Sequence, residues 1–124
     1  MNVVDSSGWL EYFSGGLNAS FFEAAIENTR DLIVPSISIY EVFKRMLQLK
    51  DEASAVQAAA FMAQGRVVDL DQTLALTAAK ISNDLKIPMA DSIILATART
   101  HSATLWTQDV DLMGFENVQY ISKK

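Results

Sequence analysis

Short apolar runs alternate with longer stretches of helical period along this chain, and that alternation restricts its fold more than anything else. Val3-Val4, Leu32-Ile33-Val34, Val67-Val68, Ala103 to Trp106 and Val118 to Ile121 read as strands. Between them, Ser7 to Phe13, Ala19 to Asn28, Ser36 to Leu49, Glu52 to Gln64, Leu74 to Leu85 and Ala90 to Thr100 carry apolar residues at helical spacing. Strands separated by helices pair in parallel through crossovers. The pattern therefore predicts an α/β fold with a mainly parallel sheet of four to five short strands sandwiched by helices. Pro35 and Pro88 each stand just before a helix, where a missing amide proton costs little. Asp71 and Thr73 are candidate caps for the helix containing Leu74, Ala78 and Ile81. With 124 residues, the expectation is one domain spanning 1–124.

Acidic residues sit where strands end or helices begin. Asp5 closes Asn2-Val3-Val4, Glu41 lies about one turn into the helix starting at Ser36, Asp91 opens Ser92-Ile93-Ile94-Leu95-Ala96, and Asp109 follows Leu105-Trp106-Thr107-Gln108. In an open α/β sheet such ends converge on the crevice at the carboxyl edge of the strands. Each acid has an ordinary reading: Asp5 as a helix cap, Glu41 as an exposed helical glutamate, Asp91 as a first-turn acid favoured by the helix dipole, and Asp109 with Asp111 as turn residues. Taken together they are harder to explain structurally. Two unit charges ~5 Å apart repel by roughly 3 kcal/mol at an effective dielectric near 20. That is a large fraction of the ~5–15 kcal/mol by which a domain is stable. A hard divalent cation would neutralise such a set. Magnesium takes carboxylates, waters and substrate phosphate, and manganese has similar ligand preferences. Lys44 and Arg45 follow Glu41 at i+3 and i+4, which fits either an ion-pair cluster or cations placed for phosphate.

The chain lacks cysteine, which excludes disulfides, thiolate zinc sites and a cysteine nucleophile, and fits a cytoplasmic location. The segment after Met1, Asn2-Val3-Val4-Asp5, has neither a basic nor an apolar leader region, so no signal peptide is expected. A net charge of −5 would ordinarily argue against a nucleic-acid partner, but the acidic set supplies part of it and bound cations would offset that part. His101 is the only histidine, and without a G-x-S-x-G elbow it reads as an ordinary helix-end residue.

The opening Val3-Val4-Asp5-Ser6-Ser7 with Trp9, the helix Ser38-Ile39-Tyr40-Glu41-Val42, the segment Pro88 to Ala98 around Asp91, and Leu105 to Asp111 resemble, in this order, the PIN-domain family and within it the VapC-like toxins. The resemblance covers the whole chain. It implies a three-layer α/β/α domain and a magnesium- or manganese-dependent endoribonuclease site. Asp5, Asp91 and Asp109 then fall on the family's metal-binding acids and Glu41 on its remaining acidic position. Asp109 is preferred over Asp111 as the last ligand. Where many relatives carry a phenylalanine after the last acid, this chain has Leu112-Met113, with Phe115 the nearest aromatic. The reading that follows is hydrolysis of an RNA phosphodiester by Asp5, Glu41, Asp91 and Asp109. Ser6, Thr107 and Asp111 would support them, and Lys44 and Arg45 would bind RNA. A cognate antitoxin and a second copy of the chain are the partners the resemblance implies. Independently, Phe21-Phe22, Tyr40-Phe43-Met46-Leu47 and Phe61-Met62 exceed the apolar needs of one small sheet, so some are expected to form an exposed groove for an amphipathic partner helix.

Other readings fit less well. A haloacid-dehalogenase-like phosphatase would want a second Asp two residues after Asp5, where Ser7 stands. A receiver-like signalling module with a magnesium pocket would want an acidic pair near the first strand and a lysine after the last. A non-catalytic PIN-like interaction module is disfavoured by the intact acids.

Overall fold

The computed structural model describes residues 1–124. Five strands form one sheet: β1 (Asn2–Val4), β2 (Leu32–Pro35), β3 (Arg66–Val68), β4 (Thr104–Thr107) and β5 (Val118–Tyr120). The sheet order is β3-β2-β1-β4-β5 and every pairing is parallel. Six helices connect and cover them: α1 (Ser6–Ser14), α2 (Ala19–Glu27), α3 (Ser36–Leu49), α4 (Glu52–Met62), α5 (Gln72–Leu85) and α6 (Met89–Thr100). Val3, Val4, Ile33 and Val34 are fully buried, whereas Arg66 and Val67 of edge strand β3 are exposed.

Two apolar clusters lie on opposite faces of the sheet. Val3, Ile33 and Leu105 point into one, against Ile81 of α5 and Ile94 and Leu95 of α6. Val4, Leu32 and Val34 point into the other, with Trp9 of α1, Phe22 and Ile26 of α2, Val42 of α3 and Met62 of α4. The alternation along β1 thus assigns neighbouring valines to different layers. Phe22 and Met62 are fully buried and Met46 is nearly so, so these members of the expected surplus of apolar side chains belong to the core. Tyr40, Leu47 and Leu49 of α3 stay exposed. The caps follow the sequence: Asp71 accepts from the Leu74 amide at 2.8 Å, and Pro35 and Pro88 occupy the N-cap positions of α3 and α6. Thr73 lies inside α5 rather than at its cap. No helix is long and apolar enough to cross a membrane.

This topology fixes where a site can form. From β1 the chain builds outward through β2 to β3, then crosses back to lay β4 on the other side of β1. The carboxyl ends of β1 and β4 therefore flank the point where the winding changes direction. α1 and α3 start at that edge because they leave β1 and β2. α6 also starts there, because it runs antiparallel to the β4 strand it feeds.

Candidate functional site

Asp5 stands at the carboxyl end of β1 and is only 2% exposed. It caps α1: its Oδ1 accepts from the Gly8 amide at 2.9 Å, and the Ser7 hydroxyl lies 2.9 Å from both carboxylate oxygens. The Thr107 hydroxyl, at the end of β4, donates to Asp5 Oδ2 at 2.7 Å and accepts from the Asp109 amide at 2.9 Å. One buried hydroxyl thus ties the two neighbouring strand ends together. Burial pushes the Asp5 carboxyl up to about 6, against the lowering effect of the Thr107, Gly8 and Ser7 donors.

Asp91 lies in the first turn of α6 and Asp109 caps the 3-10 turn Val110–Leu112, accepting from the Asp111 amide at 2.9 Å. Oxygens of Asp91, Asp109 and Asp111 all approach within 4.8 Å of one another. Partial burial raises the Asp91 carboxyl to about 7, and the charges of Asp109 and Asp5 add to that rise. Glu41, a turn and a half into α3, accepts from the Ser6 hydroxyl at 2.6 Å through Oε1. Asp5, Ser6, Ser7, Leu10, Glu41, Arg45, Asp91 and Asp109 line one cleft of about 290 Å³.

No basic side chain neutralises these acids by direct contact. The chain's one ion pair joins Lys80 and Asp84 on α5. The carboxylates gathered here, with the Ser6, Ser7 and Thr107 hydroxyls beside them, form an all-oxygen donor set, and Arg45 lines the same cleft without pairing with any of them. That set fits a hard divalent cation.

The residues singled out from sequence are distributed as follows. Asp5, Glu41, Asp91, Asp109, Ser6 and Arg45 meet at the cleft. Thr107 reaches it through Asp5, and Asp111 sits exposed at its margin beside Asp91 and Asp109. Lys44 does not line the cleft; its Nζ lies 5.9 Å above the Tyr40 ring. His101 caps the far end of α6, with Nδ1 2.9 Å from the Thr97 carbonyl oxygen.

Sequence reasoning missed a supporting latch. Gln108, between Thr107 and Asp109, turns its side chain inward: its Oε1 accepts from Asn18 Nδ2 at 3.0 Å and its Nε2 approaches the Ser7 carbonyl at 3.4 Å. Asn18 Nδ2 also donates to the Ser122 carbonyl. The α1–α2 loop, the C-terminal segment and the loop bearing Asp109 are thereby joined. No local signal marks a contact between residues 90 positions apart.

A family model described as "PIN domain" matches residues 3–119. Comparison with curated protein sequences finds no match. Among solved structures, a chain of a toxin–antitoxin complex from Klebsiella pneumoniae superposes with a TM-score of 0.79 at 22% identity, covering 96% of each chain. The Mycobacterium tuberculosis toxin VapC20, described as cleaving the sarcin–ricin loop, gives 0.76 at 18% identity over 96% of this chain and 99% of its own. FitAcB from Neisseria gonorrhoeae gives 0.74 at 20% identity over 98% and 97%. At these identities the structural likeness speaks for the fold.

Proposed function

The chain belongs to the PIN-domain family, and from that membership and the acidic cleft we propose that it is a divalent-cation-dependent endoribonuclease, the toxin of a toxin–antitoxin pair. The observation that carries the reading is the convergence of Asp5, Glu41, Asp91 and Asp109 on one cleft without a basic side chain in ion-pair contact. Carboxylates arranged at such an electrostatic cost suit a site completed by cations and phosphate. Likeness to a toxin described as cleaving the sarcin–ricin loop, and to a chain of a toxin–antitoxin complex, supports the substrate and partner classes.

Asp5, Asp91 and Asp109, which line the cleft, would hold the cation, magnesium or manganese, and an Asp111 oxygen lies within 4.8 Å of those of Asp91 and Asp109. When bound, it supplies Lewis acidity toward a phosphoryl oxygen and toward water. The chain's own side chains do the rest. Glu41, oriented by the Ser6 hydroxyl on one oxygen, positions the attacking water and takes its proton. That water oxygen joins phosphorus while the P–O bond to the leaving ribose oxygen breaks, the departing oxygen taking a proton from solvent. Thr107 holds Asp5 and the Asp109 backbone in register, so the carboxylates are placed before substrate arrives. Arg45 at the cleft wall offers a bidentate donor to phosphate, whereas Lys44, expected from spacing to share that role, lies off the cleft over the Tyr40 ring. Unpaired or looped RNA is the favoured substrate form, because its backbone can enter a small cleft.

The test is product analysis on a panel of structured and single-stranded RNAs and matched DNAs, with magnesium or manganese. The expected result is endonucleolytic cleavage confined to RNA. Cleavage of DNA alone, or of neither, contradicts the reading.

A further inference from the structure

The acidic cleft continues beyond its carboxylates. Leu10 and Arg45 line it and also line a second hollow of about 260 Å³ between α1 and α3, bounded further on by Phe13, Met46, Leu49 and Lys50. Phe13, Met46 and Lys50 in turn border a third hollow that reaches Phe61 of α4. Hollows that share walls form one groove leading away from the cleft.

Its charge is unlike that of the chain as a whole. In a molecule of net charge −5, Arg45 and Lys50 face this groove and neither makes an ion pair. Arg45 donates only to the neutral Gln48 side chain, at 3.2 Å. Glu11, the groove's one acid, is engaged elsewhere: its Oε2 accepts from the Asn18 amide at 2.8 Å. Arg45 lies in α3 and Lys50 is that helix's C-cap, five residues farther along the chain. Between them lies an apolar floor that includes Leu49, 60% exposed. Free cations spaced along a groove with an apolar and aromatic floor suit a single-stranded nucleic acid. Phosphates meet the cations and base faces meet the floor.

We infer that this groove is the track of the RNA strand flanking the cleavage point. Arg45 holds the phosphate at the junction with the cleft, Lys50 holds a phosphate farther out, and bases lie on Leu10, Phe13 and Leu49. The inference rests on the ribonuclease reading and adds to it a path and a length requirement for substrate.

The experiment compares wild type, Lys50→Gln and Lys44→Gln on a single-stranded RNA long enough to fill groove and cleft, and on a dinucleotide that fills the cleft alone. Lys44, over the Tyr40 ring and off the groove, is the control for general electrostatics. The expected result is a several-fold rise in KM for the long RNA with Lys50→Gln, and a salt slope shallower by about 0.7 for the lost phosphate contact. The kcat and the dinucleotide rate stay unchanged, and Lys44→Gln stays near wild type. If Lys50→Gln matches wild type on the long RNA, or Lys44→Gln loses as much, the track is overturned while the ribonuclease reading stands. Loss of a protein partner by Lys50→Gln with RNA kinetics intact overturns it equally and assigns the groove to that partner. Wild-type protein that cleaves no RNA overturns both.

Discussion

Asp5 does two jobs that the sequence presents as alternatives. It is the N-cap of α1, and it is a buried carboxylate at the wall of the cleft. A carboxylate has more acceptor sites than a cap requires, so capping leaves it able to take part in a shared acidic site. Two substitutions separate the roles. Asn caps a helix as well as Asp does, so Asp5→Asn is expected to leave the metal-free protein as stable as wild type or more so, while cation-dependent cleavage is lost. Asp5→Ala removes the cap as well and is expected to cost about 1 kcal/mol in urea denaturation. If Asp5→Asn destabilises as much as Asp5→Ala, the cap matters more to this residue than relief of buried charge. The carboxyls of Asp5 and Asp91 are raised to about 6 and about 7. Between an unfolded value near 3.8 and these folded values the native state binds more protons than the unfolded chain. Metal-free stability should therefore be greatest on the acid side and fall as pH rises from the unfolded value toward about 7, the two carboxyls titrating as a coupled pair. Saturating manganese should flatten or reverse that slope, because ligation favours ionised carboxylates. Urea midpoints across this range, with and without manganese, check the sign.

At the scale of elements, boundaries are legible in the sequence to within a residue or two, because caps and prolines carry local signals. The helix expected over Ser36 to Leu49 has those ends in the structure. What a helix does with each face is less legible. Lys44 and Arg45 both follow Glu41 within a turn, yet only Arg45 lines the cleft, since Lys44 lies over Tyr40. Spacing narrows a side chain's direction to a sector; neighbours on other elements choose within it. Gly8 makes the same point. On propensity alone, Gly8→Ala inside α1 should stabilise by up to about 1 kcal/mol. But a Cβ there would stand 2.6 Å from Phe22 Cε1 and 2.7 Å from Val4 Cγ1, so α1 must approach β1 and α2 with no side chain between. Overpacking of this kind costs about 1–3 kcal/mol. The expected outcome is net destabilisation by urea denaturation, together with reduced cleavage as Ser6 and Ser7 shift with the helix start. A stabilised Gly8→Ala would show that the interface yields easily.

At the scale of the whole molecule, the parallel class of the sheet follows from alternating elements, but its order does not. Nothing local states that β4 pairs beside β1 rather than beyond β3; that choice comes from which faces the helices can bury. It is also the choice that brings Asp109 next to Asp5 through Thr107, so the site depends on the least legible part of the fold. The apolar side chains left exposed on α3 and α4 outside the groove, Tyr40, Leu47 and Val56, bear on the proposed assembly. If they meet a partner, the chain alone should elute above monomer mass by light scattering. Co-expression with the product of an adjacent small gene should yield a complex without ribonuclease activity. A strict monomer that stays active beside that product would remove the toxin reading and leave the nuclease reading untouched.

One rate measurement tests the shared role of these carboxylates most directly: hydrolysis of a defined single-stranded RNA with manganese, with excess chelator, and with manganese for Asp5→Asn and Asp91→Asn. Cleavage by wild type that chelator abolishes and fresh manganese restores, and that falls by at least ~100-fold in both variants, is the predicted result. Cleavage that survives chelator, or that either folded variant retains at the wild-type rate, would contradict the claim that these carboxylates act together through a bound cation.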